Sequence, residues 1–364
     1  MSSERMFHRD VEEERTRRIL TDPEKTLPAL IFSLTGRIVC KITRRKEPLP
    51  WQFSLVVLAI VVQLPTLLVS NLLHETEQWV ALGFRWMGFI ELGLFAMAVA
   101  RFGIFYLYKN INLYIVDAIQ TQDDLKDLQQ VLKRAWSLKR AIYFTLVFTF
   151  FWSISWSLIF TFYIGQFIGF GLFTGTIIFA LLMGPALYIE GWFFFFIIRI
   201  GYYSYDLNET SPAHSEVIWR LSRTITTLLY SIAIFIAFGT AMIAFNVWAV
   251  VLGILIGWLP TTIYFIGSQI SISRIILSAK WNTLDRIQEQ IKTFSNGDIT
   301  DKNNIENINR LMDYHERIRV TPNSTLNIAT GFNLLYQLSL PLIGALLANI
   351  DKVLQHFDLI NVIP

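Results

Sequence analysis

Seven stretches of about twenty or more mostly apolar residues recur along the chain, each long enough to cross a bilayer as a helix. They run from Trp51 to about Leu72, Trp79 to about Tyr106, Ala141 to about Ile164, Phe167 to about Ile198, Thr224 to about Phe245, Trp248 to about Ile270 and Leu326 to Ala348. In hydrocarbon every backbone N–H and C=O must be satisfied within the segment, so runs of this length fold as helices. The expected fold is all-α: a polytopic membrane protein of about seven transmembrane helices with a helical cytoplasmic layer. Of the 364 residues, 53% are hydrophobic and only 16% are charged, whereas soluble domains are about 25% charged. A soluble enzyme, a disordered chain and a disulfide scaffold are thereby excluded. The single cysteine, Cys40, makes neither an internal disulfide nor a cysteine zinc site.

Lysine and arginine orient the spans. Residues 1–50 carry 11 of them, 101–140 carry 7, 199–223 carry 3 and 274–320 carry 8, and pairing the spans as hairpins puts all four segments on one side. The opposite links, around His74–Glu77, Ile164–Phe167 and Asn246–Val247, carry none. The N-terminus is expected in the cytoplasm and the C-terminus outside, in a multi-pass protein of the cell membrane. The chain divides into a cytoplasmic helical segment (1–50), a six-helix bundle (51–273) with cytoplasmic inserts at 107–140 and 199–223, cytoplasmic helices (274–321), a seventh span (322–350) and an outer tail (351–364).

The basic segments carry helical apolar stripes: Leu113, Val116, Ile119, Leu125, Leu128, Val131 and Leu132 in one, Ile275, Ile276, Leu284, Ile287 and Ile291 in another. Spans two and six are therefore expected to continue as long helices into a compact layer built from separate segments. Such a layer serves either to connect the spans or to assemble subunits and sense a signal. Lys133, Arg134, Arg317 and Arg319 are the candidates for holding an anionic ligand. The signal would be a nucleotide, an oligonucleotide or a protein.

No nucleotide-binding loop, HExxH or metal-ligand spacing occurs, and no span carries two catalytic groups at facing positions. No catalytic residue, metal or cofactor is assigned, and no enzymatic activity is expected. Ionisable groups inside spans are functional candidates because they are costly there. They are Arg85 and Glu91 on span two and Glu190 on span four. Arg85 and Glu91 are six residues and about 9 Å apart along the helix and do not face each other. Gly171, Gly175, Gly253 and Gly257 form two GxxxG pairs, which mark close helix contacts.

The seventh span is the most informative. Asn323, Asn327, Thr330, Asn333, Gln337, Pro341 and Gly344 follow spacings of 4, 3, 3, 4, 4 and 3, and fall within an arc of about 120°. Uncharged amides in hydrocarbon need partners. They either bond to neighbouring spans or line water, as pore walls do. The pore reading assigns Asn327, Thr330, Asn333, Gln337, Pro341 and Gly344 to the lining, one such helix from each subunit of a homo-oligomer.

The stretch from Leu311-Met-Asp-Tyr-His-Glu-Arg-Ile through Thr321-Pro322 to Leu340-Pro341-Leu342-Ile343 resembles the C-terminal end of bacterial polytopic membrane effector proteins of anti-phage defence, of the channel type. The resemblance covers roughly 40 of 364 residues. It implies an oligomeric channel that disrupts the inner membrane. The plan of seven spans with a terminal pore helix is similar to that of insect chemoreceptor channels, which implies a tetramer. The function expected is an ion channel gated through its cytoplasmic layer. A secondary transporter using Glu91, or a non-transporting membrane scaffold, is the alternative.

Overall fold

A computed structural model of the chain describes residues 11, 13–17, 25–44, 47, 50–72, 77–164, 169–207, 211–243, 259–295, 302–324 and 339. The described residues are almost entirely helical, with no strand and one isolated antiparallel bridge. The helices are α1 (Leu27–Thr43), α2 (Trp51–Val61), α3 (Leu64–Leu72), α4 (Glu77–Asn110), α5 (Gln122–Ala135), α6 (Leu138–Ile164), α7 (Phe170–Ile200), α8 (Glu216–Ile243), α9 (Leu259–Ser295) and α10 (Lys302–Val320). A π-helical turn (Ile111–Ile115) and a last α-turn (Val116–Ala118) extend α4.

Among the described residues, five segments are long and apolar enough to cross a membrane: Trp51–Leu72, Ile90–Asn110, Leu138–Leu158, Phe170–Ile200 and Thr262–Ser295. Four of them fall on the first four apolar runs; Thr262–Ser295 overlaps the sixth run only at 262–270, residues 248–258 lying outside the described residues, and extends into the stretch expected to be cytoplasmic. The run at 224–245 lies on α8, whose side chains beyond Ile232 fall outside the described residues. The run at 326–348 lies outside them too, Ser339 excepted, and with it Asn327, Thr330, Asn333, Gln337, Pro341 and Gly344. Gly253 and Gly257 lie outside as well. As expected from its stripe, α9 runs on well past the length a bilayer needs; the extension of α4 instead stops at Ala118, where Ile119 turns extended, and the rest of that stripe forms the separate helix α5.

α4 and α7 make the most extensive contact in the bundle, and α6, α8, α3 and α9 pack around them. The two central helices are apolar on all faces, as buried helices are: 61% of the apolar window of each is buried, against 11% for Trp51–Leu72 and 17% for Leu138–Leu158. These peripheral segments turn Phe53, Val56, Ile60 and Leu68, and Leu146, Phe150, Phe151 and Ile154, outward. Exposed apolar surface on this scale suits lipid and not water.

Small residues set the helix spacing. A Cβ at Gly184 of α7 would stand 2.8 Å from Thr145 Cγ2 and 3.0 Å from Thr145 Cα, so α6 and α7 meet with nothing but hydrogen between them. Gly171 and Gly175 are both buried on α7. The helix continues through Pro185.

The apolar core falls into two main clusters. One gathers Ile90, Leu94 and Met97 of α4 with Leu172, Phe179 and Leu182 of α7, and receives Phe32 from α1. The other joins the far ends of α4 and α7 to Ile115, Ile119, Leu125, Leu128, Ile218, Ile272 and Ile276. A third, smaller cluster (Leu284, Ile287 and Ile318) holds α10 on α9.

Candidate functional site: a charged base and two carboxyls within the bundle

The segments richest in lysine and arginine meet at one end of the bundle. Thr121 caps α5 by accepting from the Asp124 N–H at 3.2 Å, and Asp123 and Asp124 occupy its first turn. α5 then lays Leu125, Leu128, Val131 and Leu132 on the core. Its polar edge holds the chain that follows α7. Asp127 accepts from Arg199 Nε at 2.7 Å and Arg199 Nη2 at 3.0 Å, and from the Tyr203 hydroxyl at 2.8 Å. Asp124 accepts from the Ser204 N–H at 2.9 Å. A short antiparallel pairing closes the joint, with Gln120 N–H donating to Ser204 O at 2.9 Å and Asp206 N–H to Ala118 O at 2.7 Å.

The bidentate Arg199 pair holds the Asp127 carboxyl below the usual carboxylate range. Burial, reinforced by the Asp127 charge, pushes the Tyr203 hydroxyl upward, and burial pushes up Tyr205. All three groups therefore keep a single protonation state near neutral pH.

The N-terminal segment docks on the same layer. Gln129 Nε2 donates to Thr16 Oγ1 at 3.0 Å in a buried contact, and Arg17 pairs with Asp117. Several arginines at this level lie over aromatic rings: Arg101 between Trp51 (4.8 Å) and Phe105 (4.4 Å), Arg220 over Tyr114 (3.7 Å), Arg223 over Trp219 (5.3 Å) and Arg274 over Tyr202 (4.3 Å). Aromatic rings and snorkelling cations are enriched where a protein passes from hydrocarbon to water.

α10 returns along α9. Lys280, a buried lysine, donates to Arg319 O at 2.7 Å, Thr321 O at 2.8 Å and Asn323 Oδ1 at 2.9 Å. The first amide of the polar stripe is thus a structural acceptor. The cation closes the end of α10, where carbonyl groups lack intrahelical partners.

The four anionic-ligand candidates form two separate pairs. Lys133 and Arg134 share the last turn of α5, which packs on α7, and Arg317 and Arg319 share the last turn of α10, which packs on α9. All four are exposed. Cations in a last turn balance the helix dipole, whether or not a ligand is present.

Two of the charges expected within the bundle have described side chains. Glu91 accepts from Gln63 Nε2 at 2.7 Å, and the same amide donates to Met87 O at 3.2 Å. Gln63 stands at the interruption between α2 and α3. Glu190 lies half-buried at the wall of a cavity of about 50 Å³, enough for a few waters. The cavity is otherwise lined mainly by aliphatic and aromatic groups, among them Val99, Phe193 and Leu228, with Ser231 and Tyr264 as its other polar groups. The Tyr264 hydroxyl donates to the Glu190 main-chain carbonyl. Among the described residues the Glu190 carboxyl has no hydrogen-bond or ion-pair partner. Arg85 lies in α4, with its side chain outside the described set.

Pattern reading missed Lys280, Arg101, Gln63 and the Asp127–Arg199–Tyr203 cluster. Lys280 left a trace, since it falls at i+4 from Ile276 and i−4 from Leu284, in register with the buried stripe of α9. Gln63 left another, as an amide two residues before Pro65 in an apolar run.

Comparison of the chain with protein-family models, curated proteins and solved structures finds no match.

Proposed function

We propose that this protein is a homo-oligomeric ion channel of a bacterial inner membrane, with seven spans, a cytoplasmic N-terminus and the charged base in the cytoplasm. The seventh span lines the pore through Asn327, Thr330, Asn333 and Gln337, with Pro341 and Gly344 allowing a bend. The observation that carries this reading is the Lys280 clamp. It ties α9 to the segment that leads directly into the polar-faced run, so a displacement of the base is passed to that run. A nucleotide, oligonucleotide or protein that binds the base would gate the pore. An effector role in antiviral defence rests on the resemblance at 311–343.

The test is current across a planar bilayer from the purified protein, beside an Asn333→Leu/Gln337→Leu variant. Discrete steps in the wild type, lost in a variant that still assembles, support the pore. A variant that fails to assemble would place the amides at helix contacts instead.

A second reading is favoured by the cavity at Glu190: a secondary transporter that carries a proton on this carboxyl. The Gln63 bond gives Glu91 a packing role and moves the transport candidate to Glu190. Saturable uptake lost in Glu190→Gln, with no unitary current from the wild type, would select it.

A further inference from the structure

α1 has two apolar faces: one is docked along the helix, and the other packs inward at Leu27 and Ile31 but is bare over the C-terminal half. Ala29, Phe32 and Gly36 are buried against the bundle, and the Phe32 ring meets the edge of Trp51 at 5.8 Å. Leu34, Ile38 and Ile42 point the other way, 52%, 59% and 75% exposed. At 100° per residue these three occupy an arc of about 80°, centred roughly opposite the docked face. Arg37, Lys41 and Arg44, all exposed, fill an arc of about 60° beside them. Arg44 ends the helix in the left-handed region (φ 54°), and its N–H donates to Cys40 O.

A helix with one docked face, a bare apolar stripe and a basic flank is built for the boundary between acyl chains and headgroups. The surroundings put it there. Trp51, which Phe32 touches, opens the first apolar run and lies against Arg101, at the level where arginines lie over aromatic rings. The next outward-facing large apolar residues among the described part of the chain are Phe53, Val56 and Ile60 of α2. The flank is purely basic, so its complement is an anionic surface.

We propose that α1 is an interfacial helix that seats Leu34, Ile38 and Ile42 in the acyl region of the leaflet on the side of the charged base, and that Arg37, Lys41 and Arg44 bind anionic phospholipid headgroups there. The proposal rests on the membrane reading and not on conduction. A chain that passes no current still tests it.

The test uses the full chain in nanodiscs, in a Cys40→Ser background, with an environment-sensitive fluorophore on Ile38→Cys or on Met312→Cys of α10, an exposed site in the base. Acyl-chain nitroxide lipids should quench the probe at 38 several-fold more than the probe at 312, and iodide should do the reverse. Iodide quenching at 38 equal to that at 312 would place the stripe in water and overturn the proposal. Shielding from both quenchers, with disulfide cross-linking of Ile38→Cys between two copies, would assign the stripe to a subunit contact and overturn it equally. For the headgroups, replacing phosphatidylglycerol by phosphatidylcholine should lower nitroxide quenching at 38 in the wild-type background. An Arg37→Gln/Lys41→Gln/Arg44→Gln variant should lose that lipid dependence. Equal quenching in both lipids without the triple substitution would refute the anionic-lipid half.

Discussion

The ammonium of Lys280 donates to the main-chain carbonyl of Thr321 at 2.8 Å, so the turn that follows α10 is fastened to α9 by a buried cation. Lys280→Met keeps the length and apolar stem but leaves the carbonyls of Arg319 and Thr321 without this donor. Hydrogen bonds to a charged group contribute about 1.5–3 kcal/mol each and do not add fully, so the expected loss is roughly 2–3 kcal/mol. The melting temperature in detergent should fall by several degrees, and protease cleavage at 321–324 should rise. An unchanged melting curve and cleavage pattern would show the clamp to be idle.

Gly184→Ala should be poorly tolerated, because the new methyl meets Thr145 at 2.8–3.0 Å, backbone Cα included. Overpacking of this kind costs about 1–3 kcal/mol. Gly191 on the same helix has nothing within 4 Å of an added Cβ, so Gly191→Ala is the control and should be neutral or slightly stabilising. Fluorescence-detected size-exclusion after a heat step compares the two. Equal behaviour would mean that α6 and α7 can part without cost.

The Asp127–Arg199 pair predicts a pH signature. Arg199 lowers the folded-state pKa of Asp127 below the ordinary 3.8. The pair therefore contributes its full stability above that value, and loses it as pH falls through the lowered pKa. With Arg199 47% and Asp127 28% exposed, solvent limits the contribution to about 1 kcal/mol. Asp127→Asn should melt lower than wild type by a constant margin from pH 5 to 8, and the gap should close below pH 4. A gap that widens on acidification would reverse the assignment.

Glu190→Gln keeps the shape of the side chain and removes its titratable group. Expression and melting temperature should stay close to wild type, since the carboxyl holds no described partner. A hydrophobic carbodiimide, which modifies protonated carboxyls reached from an apolar phase, should label the wild type at this site and not the variant. Mass spectrometry of the 170–200 peptide reads the result, and wild-type protein unlabelled there would remove Glu190 from any proton pathway.

The apolar runs were legible because a bilayer span depends on length and hydrophobicity, both local properties. The stripes on α5 and α9 were legible for the same reason, since a 3.6-residue period exposes the buried face. Partnerships were harder to read. Glu91 was visible as an intramembrane acid, but its donor Gln63 sits 28 residues away at the break between α2 and α3, and the register between segments is not written in either one. α1 lies within the segment expected to be helical (1–50), but its bare stripe is not apparent in the sequence, because its two apolar faces and basic flank blur the period that marks a simple amphipathic helix. Asn323 belonged to the polar stripe by spacing, yet its amide turns back to Lys280. Arg101 lies inside an apparent span and counts by sequence with the charges beyond it, although its guanidinium lies over the rings of Trp51 and Phe105.

The base is also a record of synthesis. Its joints connect Thr16 to Gln129, 113 residues apart, Arg17 to Asp117, 100 apart, and Asp127 to Arg199, 72 apart. At about 5–20 residues per second, the ribosome needs roughly 6–23 s after making Thr16 to deliver its partner. The N-terminal strap must wait through the insertion of the early helices, and the fastening at Asn323 follows all of these joints. The layer thus closes late and in order, and a truncated chain that stops before residue 321 leaves the ribosome with the Lys280 clamp still open.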